Sequence, residues 1–273
     1  MNISVVTPTF NQAKTIRETL DSVLRQEMGP GLEYIVMDGM STDGTNEIVL
    51  EYRSRFAAQG VRFIAVRESD NGQSDAINKG WERSTGDIVA FLNSDDLYEP
   101  NALRTVLAFF ERHPDILWAY GGWRLIASDG TIHATLQPKR FSRAKLLNHS
   151  IIGQPSVFFR RQLLHELGML QPHLHLAMDY DLWLRFAQKY DAGIMDAVLS
   201  QMRHSPGAKS SSRTQAQLLE ILHLGTHYTK PISWRRLMQY FYYLRGLAVV
   251  LLRINTPRRI ELKRKWNALW RSH

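Results

Sequence analysis

A chain of 273 residues, 44% hydrophobic and 22% charged, is long enough for a large core, which excludes disordered, collagen-like and small disulfide-stapled proteins. It has no cysteine, so iron–sulfur clusters and thiol nucleophiles are excluded too. The net charge of +8 is local: residues 231–273 hold ten Lys and Arg against Glu261 alone, leaving residues 1–230 at −1, which argues against a nucleic-acid-binding fold and for a basic attachment device.

The first hundred residues alternate β-branched runs with helical rhythms, the pattern of a parallel sheet covered by helices. Expected strands are Ile3–Thr7, Tyr34–Asp38, Arg62–Val66 and Ile88–Leu92. Expected helices are Ala13–Gln26, with Ile16, Leu20, Val23 and Leu24 on one face, then Thr45–Phe56 and Ser74–Ser84. A further helix is expected from Pro100 to about Arg112, stopped before Pro114. The rhythm then shifts to a hairpin, Trp118–Ile126 and Thr131–Leu136 across Ser128-Asp129-Gly130, with another strand at Pro155–Phe159. A short helix Arg161–Leu167 ends at Gly168, a helix Tyr180–Tyr190 opens at Asp179, and Ala192–Asp196 and Leu199–Arg203 read as two strands before a polar loop, Ser205–Arg213.

In open parallel sheets ligands bind beyond the carboxyl ends of the strands. Here those ends are polar: Thr7-Pro8-Thr9-Phe10-Asn11, Asp38-Gly39-Met40-Ser41-Thr42-Asp43-Gly44, Asp70-Asn71-Gly72 and Asn93-Ser94-Asp95-Asp96. Any one of these alone reads equally well as turn and cap chemistry. Neither GxGxxG nor a Walker loop follows the first strand, and His165-Glu166 lacks the second histidine of a zinc protease. Adjacent carboxylates such as Asp95-Asp96 repel unless a cation attends them, and a hard divalent ion that leaves positions for phosphate suits the pair. A helix N-cap pair before Glu99-Pro100 is the competing reading.

The strings SVVTPTFNQAKTIRETLDSVLRQ, DGMSTDGT and DNGQSDAINKGWERSTGDIVAFLNSDDLYEP resemble the inverting family-two glycosyltransferases, over about residues 3–205. The resemblance implies an α/β, GT-A-type, Rossmann-like mixed sheet flanked by helices, with a nucleotide-sugar-binding half (1–100) and an acceptor-binding half (101–205); beyond it the chain is expected to form a lid or linker (206–230) and a basic amphipathic helical tail (231–273). It implies that Thr7, Pro8, Thr9 and Asn11 line the nucleotide pocket, that Asp38 bonds the base, and that Asp75, Asn78 and Lys79 help form the donor pocket. Asp95 is then near ribose or diphosphate, and Asp96 ligates Mn²⁺ or Mg²⁺. Asn93 stands where many members carry aspartate.

On the acceptor side, Ala177-Met178-Asp179-Tyr180-Asp181 resembles the family's ED-type motif, with Asp179 as the base and Met178 where an acid often stands; a helix cap is the other reading. Asp181, two residues on, reads as a structural partner. Gln154-Pro155 resembles an acceptor loop, and a plain turn reads nearly as well. His204, before Ser205-Pro206-Gly207-Ala208-Lys209, resembles the donor-closing segment in which a histidine touches metal or diphosphate; a structural histidine is the alternative.

In the tail, Trp234, Leu237, Met238, Phe241, Leu244, Leu247, Ala248, Leu251 and Leu252 fall on one helical face, and the run Gly246–Leu252 is too short to span a bilayer. The expectation is a helix lying on an anionic membrane. Packing on the body or in a homodimer is the alternative. MNISVVTPTF lacks the segments of a signal peptide, so the protein is expected in the cytoplasm, peripheral on the inner face of the membrane. The functional expectation is transfer of a sugar from a nucleoside-diphosphate-sugar, with UDP-sugar favoured, to a hydroxyl of a glycan or lipid-linked acceptor in cell-surface polysaccharide biosynthesis. A noncatalytic nucleotide-sugar-binding scaffold is the other class.

Overall fold

The computed structural model describes residues 1–148, 152–204 and 214–228, together with Tyr240, Phe241 and Leu244. The polar loop expected at 205–213 and, apart from those three residues, the amphipathic tail lie outside the described residues.

Strands β1 (Ile3–Thr9), β2 (Leu32–Asp38) and β3 (Arg62–Arg67) pair in parallel, and β4 (Ile88–Phe91) adds to the other side of β1. β1, β2 and β4 are buried along their whole length; β4 reads as a continuous apolar run, and in β1 and β2 the buried Ser4 hydroxyl donates to Glu33 at 2.7 Å. Helix α1 (Ile16–Leu24) lays Ile16, Leu20, Val23 and Leu24 on Ile3, Val5, Tyr34 and Val36. The helix expected over 45–56 is two, α2 (Thr45–Glu51) and α3 (Arg53–Ala58). At the joint the Tyr52 N–H reaches the Val49 carbonyl, a tighter turn, while the buried Tyr52 hydroxyl donates to Asp21 at 2.8 Å. Helix α4 (Gln73–Arg83) covers the opposite face with Ala76, Ile77 and Trp81 against Val6, Ile35 and Met37. It approaches so closely that a Cβ on Gly80 would lie 2.4 Å from Val6 Cγ1.

The second half supplies β5 (Leu97–Tyr98), α5 (Ala102–Arg112), the hairpin β6 (Trp118–Ile126) and β7 (Ile132–Leu136), and α6 (Arg143–Asn148). A 3₁₀ turn at Gln154–Ser156 leads into β8 (Val157–Arg160), then α7 (Gln162–Leu167), α8 (Met178–Lys189), β9 (Gly193–Arg203) and α9 (Thr214–His227). The strand expected at 155–159 therefore starts later, and α6 and β5 have no counterpart in the sequence reading. The two strands expected over 192–203 are one, and its pairing with β6 shifts register on either side of Gly122, which breaks the alternation that would mark a continuous strand.

The sheet runs β3-β2-β1-β4-β8-β6-β9-β5, with β7 on β6. β8 joins β4 antiparallel, so both halves share one sheet. β5 follows β4 after residues 92–96, yet it pairs with β9 at the far end of the order. Such a short connection requires the sheet to curl on itself, and the curl places residues 92–96 at the change from parallel to antiparallel strands. One apolar core lies under α1, α2, α3 and α5; the other lies under α4, α7 and α8 and takes Leu224 from α9. Residues 214–227, expected as part of a lid or linker, are thus a helix with a residue in the core.

Candidate active site

β1 and β2 end together, with Thr9 opposite Asp38. The turns beyond them are bonded to each other: the Gly39 N–H donates to the Thr9 carbonyl at 2.9 Å, the Asn11 N–H to Ser41 Oγ at 2.9 Å, and the Thr42 N–H to Asn11 Oδ1 at 2.9 Å. Asn11 has φ +53, a conformation asparagine tolerates better than most residues. Asp38 Oδ1 accepts from both the N–H and the hydroxyl of Ser41. Asp38 Oδ2 and Thr9 Oγ1 are left buried without a hydrogen-bond partner, with Arg67 Nε 3.6 Å from the carboxylate oxygen. An unsatisfied buried polar group costs about 1–3 kcal/mol, so two of them together at the carboxyl edge of a parallel sheet are a costly feature of this tip. Phe10 projects beside them, 59% exposed. Thr7 and Pro8 lie within buried β1, and Thr7 Oγ1 accepts from the Tyr34 hydroxyl at 3.0 Å; they support the tip from below.

The third tip closes against the second, since a Cβ on Gly39 would fall 2.4 Å from Asp70 Oδ2. Asp75 Oδ2 accepts from the Asn71 N–H at 2.9 Å and pairs with Lys79 at 3.1 Å, and Lys79 also donates to the Ser69 carbonyl. The bond from the Asn71 backbone, aided by Lys79, holds the Asp75 carboxyl below the usual range. Asn78 points elsewhere: its amide donates to the Leu170 carbonyl at 2.9 Å and accepts from the Leu170 N–H at 3.1 Å. It joins α4 to the acceptor half, and in this structure both its polar atoms face that strut, not the nucleotide tips.

At the curl, Asp96 is buried, with Oδ1 accepting the Arg203 N–H at 2.9 Å and Oδ2 accepting the Asn93 amide at 3.1 Å. Asp95 is partly exposed. Burial, and for Asp96 the neighbouring Asp95 charge, push both carboxyls above their ordinary values, Asp96 furthest. Arg203, 6% exposed, donates to the carbonyls of Asp95 (3.1 Å) and Ser128 (2.8 Å) and pairs with Glu18 at 2.6 Å. Asn93 also donates to Gln154 Oε1 at 3.2 Å and accepts from Gln73 at 2.7 Å, while Gln154 donates to the Phe91 carbonyl at 2.8 Å. Among the described residues no three His, Asp or Glu gather into a cage for a metal. Mg²⁺ and Mn²⁺ need no such cage, because one or two carboxylates hold them while phosphate and water fill the other positions. A carboxylate pair with raised proton affinity and one partly exposed member fits that mode. His204 follows Arg203 at this edge, its N–H donating to the Ile126 carbonyl at 2.8 Å.

The acceptor side meets the pair through α4. Ser74 Oγ lies 2.8 Å from Met178 Sδ and donates to the Leu174 carbonyl at 3.3 Å. Ser74 is next to Gln73, whose bond to Asn93 leads on to Asp96 and Gln154. Helix α8 begins at Met178 with Ala177 as its cap, so Asp179 sits in the first turn. Pro155 is buried in the 3₁₀ turn beside Gln154. Asp179 Oδ1 accepts from the Tyr180 N–H at 2.8 Å, and burial raises its carboxyl to about 6. Asp181 instead pairs with Arg185 at 2.9 Å, and Arg185 binds the carbonyls of Leu167, Gly168 and Met169. Of the two acids, Asp179 is the one with no cationic partner among the described residues.

The sequence reading assigned no individual role to Phe10, Arg67, Gln73 or Arg203. Phe10 carried a signal, as an aromatic residue at a strand tip; the other three act through partners far along the chain.

Residues 4–168 match the family described as glycosyl transferase family 2. TuaG of Bacillus subtilis, a glycosyltransferase assigned to teichuronic acid biosynthesis, is 32% identical over 78% of this chain and 83% of its own. A PGL/p-HBAD biosynthesis glycosyltransferase of Mycobacterium bovis is 31% identical over 67% of this chain and 68% of its own. Among solved structures, Staphylococcus aureus TarS 1–349 with UDP-GlcNAc superposes with a TM-score of 0.63 at 19% identity, over 90% of this chain and 72% of its own. The mannosyltransferase PcManGT from Pyrobaculum calidifontis, with GDP-Man and Mn²⁺, gives 0.64 at 19% identity, over 98% and 80%. The curled mixed sheet is accordingly of the GT-A type, and the chain belongs to glycosyltransferase family 2.

Proposed function

We propose that the protein transfers a sugar, with inversion and with a divalent cation, from a nucleoside-diphosphate-sugar to a hydroxyl of a glycan or lipid-linked glycan in cell-surface polysaccharide biosynthesis. The observation that supports this reading is the run of contacts Met178–Ser74, Gln73–Asn93 and Asn93–Asp96, which links the helix start that carries Asp179 to the loop that carries Asp95 and Asp96. Relatives named for teichuronic acid and PGL/p-HBAD biosynthesis support the polysaccharide or glycolipid context.

On the donor side, Thr9 and Asp38 take the base and Phe10 flanks it. Asp38 Oδ2 accepts no hydrogen bond and lies 3.6 Å from Arg67 Nε, while Ser41 engages Oδ1. That suits the single imide N–H of uracil better than the paired N–H groups of guanine, and supports UDP over GDP. Asn11, Asp75 and Lys79 hold the surrounding loops. Asp95 and Asp96 hold Mn²⁺ or Mg²⁺, with Asp95 facing the diphosphate, Asp96 seating the loop, and His204 at the rim. The bound cation supplies charge neutralisation to the departing nucleoside diphosphate. Gln154 and Pro155 border the acceptor. Asp179 takes the proton of the acceptor hydroxyl as its oxygen bonds to the anomeric carbon and the bond from that carbon to the diphosphate oxygen breaks. A base whose pKa is lifted toward neutrality by burial is better matched to this task than an ordinary carboxylate.

The tail places the enzyme against an anionic cytoplasmic leaflet, where each basic residue contributes about 1 kcal/mol. Tyr240, Phe241 and Leu244 are exposed, in keeping with a lipid-facing side, and no helix among the described residues is long and apolar enough to cross a membrane.

Calorimetric titration of UDP, UDP-GlcNAc, UDP-glucose and GDP-mannose, with and without Mn²⁺, tests the donor reading. Cation-dependent binding of a uridine nucleotide by the wild type, lost in Asp95→Asn, is expected; cation-independent binding, or preference for GDP-mannose, overturns it. Flotation with phosphatidylglycerol vesicles tests the tail: replacing Arg258, Arg259, Lys263, Arg264 and Lys265 by serine should release the protein, and unchanged flotation removes the membrane.

A further inference from the structure

Helix α9 is built onto the entrance of the base-bearing helix. Ala177 caps α8 with φ −134 and no side-chain hydrogen bond, as alanine must, so the backbone N–H groups that lead into that helix need an acceptor from elsewhere. Glu220 of α9 supplies it: one carboxylate oxygen accepts the Leu176 N–H at 2.9 Å and the Ala177 N–H at 3.0 Å. Gln217, one turn earlier on α9, donates to the Leu176 carbonyl at 3.1 Å. At the other end of the helix Leu224 is buried in the core and the Tyr228 hydroxyl donates to Asp181 at 3.2 Å. The segment preceding Asp179 is therefore gripped at both its N–H and carbonyl groups by a helix that lies beyond the family match at 4–168.

We propose that Glu220 is a positioning residue for transfer, a cap supplied in trans to α8 that fixes the backbone from which Asp179 reaches the acceptor. Asp179 begins two residues after the gripped Ala177, and its only hydrogen-bond partner among the described residues is the N–H of its neighbour Tyr180. Its direction is thus set by the backbone of this turn. A carboxylate on a helix N-terminus also meets the positive end of the helix dipole. Misplacement of a reacting group by about 1 Å can cost 100-fold in rate, so loosening the cap should appear in turnover, while the turns beyond β1 and β2, which are bonded to each other, stay as they are.

The test uses the full chain, the UDP-sugar that binds most tightly in calorimetry, and octyl glucoside as acceptor, with UDP release as the signal. Glu220→Ala should lower kcat at least tenfold with donor KM within twofold, and should raise hydrogen exchange at the Leu176 and Ala177 amides. Glu220→Gln, which keeps an acceptor oxygen, should restore kcat to within threefold of the wild type. Equal losses in the Ala and Gln variants, or a parallel rise in donor KM, overturn the cap; so does unchanged exchange at the two amides. The inference rests on Asp179 as the base, so Asp179→Asn is measured alongside. If that variant still transfers sugar, the base assignment fails. If it is inactive while Glu220→Ala keeps full kcat, only the cap fails.

Discussion

The donor edge and the acceptor edge of this site are built by opposite means. On the donor edge, turns beyond parallel strands bond to one another, Asn11 to Ser41 and Thr42, Asp38 to Ser41, Asp75 to Asn71, and two buried atoms, Thr9 Oγ1 and Asp38 Oδ2, are left over. On the acceptor edge the polar groups reach across the molecule: Asn78 to Leu170, Gln154 to Phe91 and Asn93, Glu220 to Ala177. The first edge is tied by bonds within and between adjacent turns, at most 31 residues apart in the chain; the second is tied by bonds that span 43 to 92 residues. A donor pocket of this kind should tolerate damage to the acceptor edge, and the converse should hold less well.

The largest expected break in that comparison is Asp179→Asn. It should reduce kcat by about 10²–10⁴-fold, the usual range for a general base, with donor affinity by calorimetry unchanged. The same substitution should stabilise the protein. A carboxyl raised from 3.8 to about 6 in the fold disfavours the charged state, so its cost to stability is present above pH 6, shrinks as pH falls from 6 to 4, and vanishes below. Denaturant unfolding at pH 8 should show a gain on the order of 2 kcal/mol for the asparagine variant, and none at pH 3.5.

Next in size, Asp38→Ala should weaken uridine nucleotide binding about tenfold to a hundredfold, the value of one charge-assisted hydrogen bond, and leave kcat at saturating donor nearly intact. Equal loss of kcat would mean that the two edges are not separable.

The pH profile sharpens the contrast further. In its proposed role Asp179 acts in the ionised form, so kcat should fall as pH drops through about 6, losing tenfold for each further pH unit. The smallest effect is expected from Asn78→Leu, which removes both bonds to Leu170. It should lower stability by about 1–3 kcal/mol without changing the donor Kd, and a change in donor Kd would return Asn78 to the nucleotide pocket.

The parallel half was legible because its signals are local. Apolar runs ending in polar tips announced β1, β2 and β4, and the spacing of Ile16, Leu20, Val23 and Leu24 announced α1 with the right buried face. The motif strings pointed to the family, and residues 4–168 match it. Harder to read were elements whose reason lies elsewhere in the chain. β5 is two residues long and exists because β9 passes beside it. α9 has a weak apolar rhythm and is held by Glu220, Gln217 and Leu224 against α8. At the break between α2 and α3, Tyr52 is buried and its hydroxyl bonds Asp21, 31 residues away.

The sequence by itself determined the family, the parallel half-sheet, and the residue types at each strand tip, because period, turn chemistry and an acidic pair are encoded within a few neighbouring positions. Only the tertiary structure decided which of those polar groups remain available. Asn78 and Gln154 are engaged by partners 92 and 63 residues away, whereas Asp38 Oδ2 keeps the Arg67 ion pair and no hydrogen bond, and the Asp179 carboxylate holds the N–H of its neighbour. Burial and hydrogen bonding set the availability and proton affinity of a carboxylate, and both are properties of the packed chain.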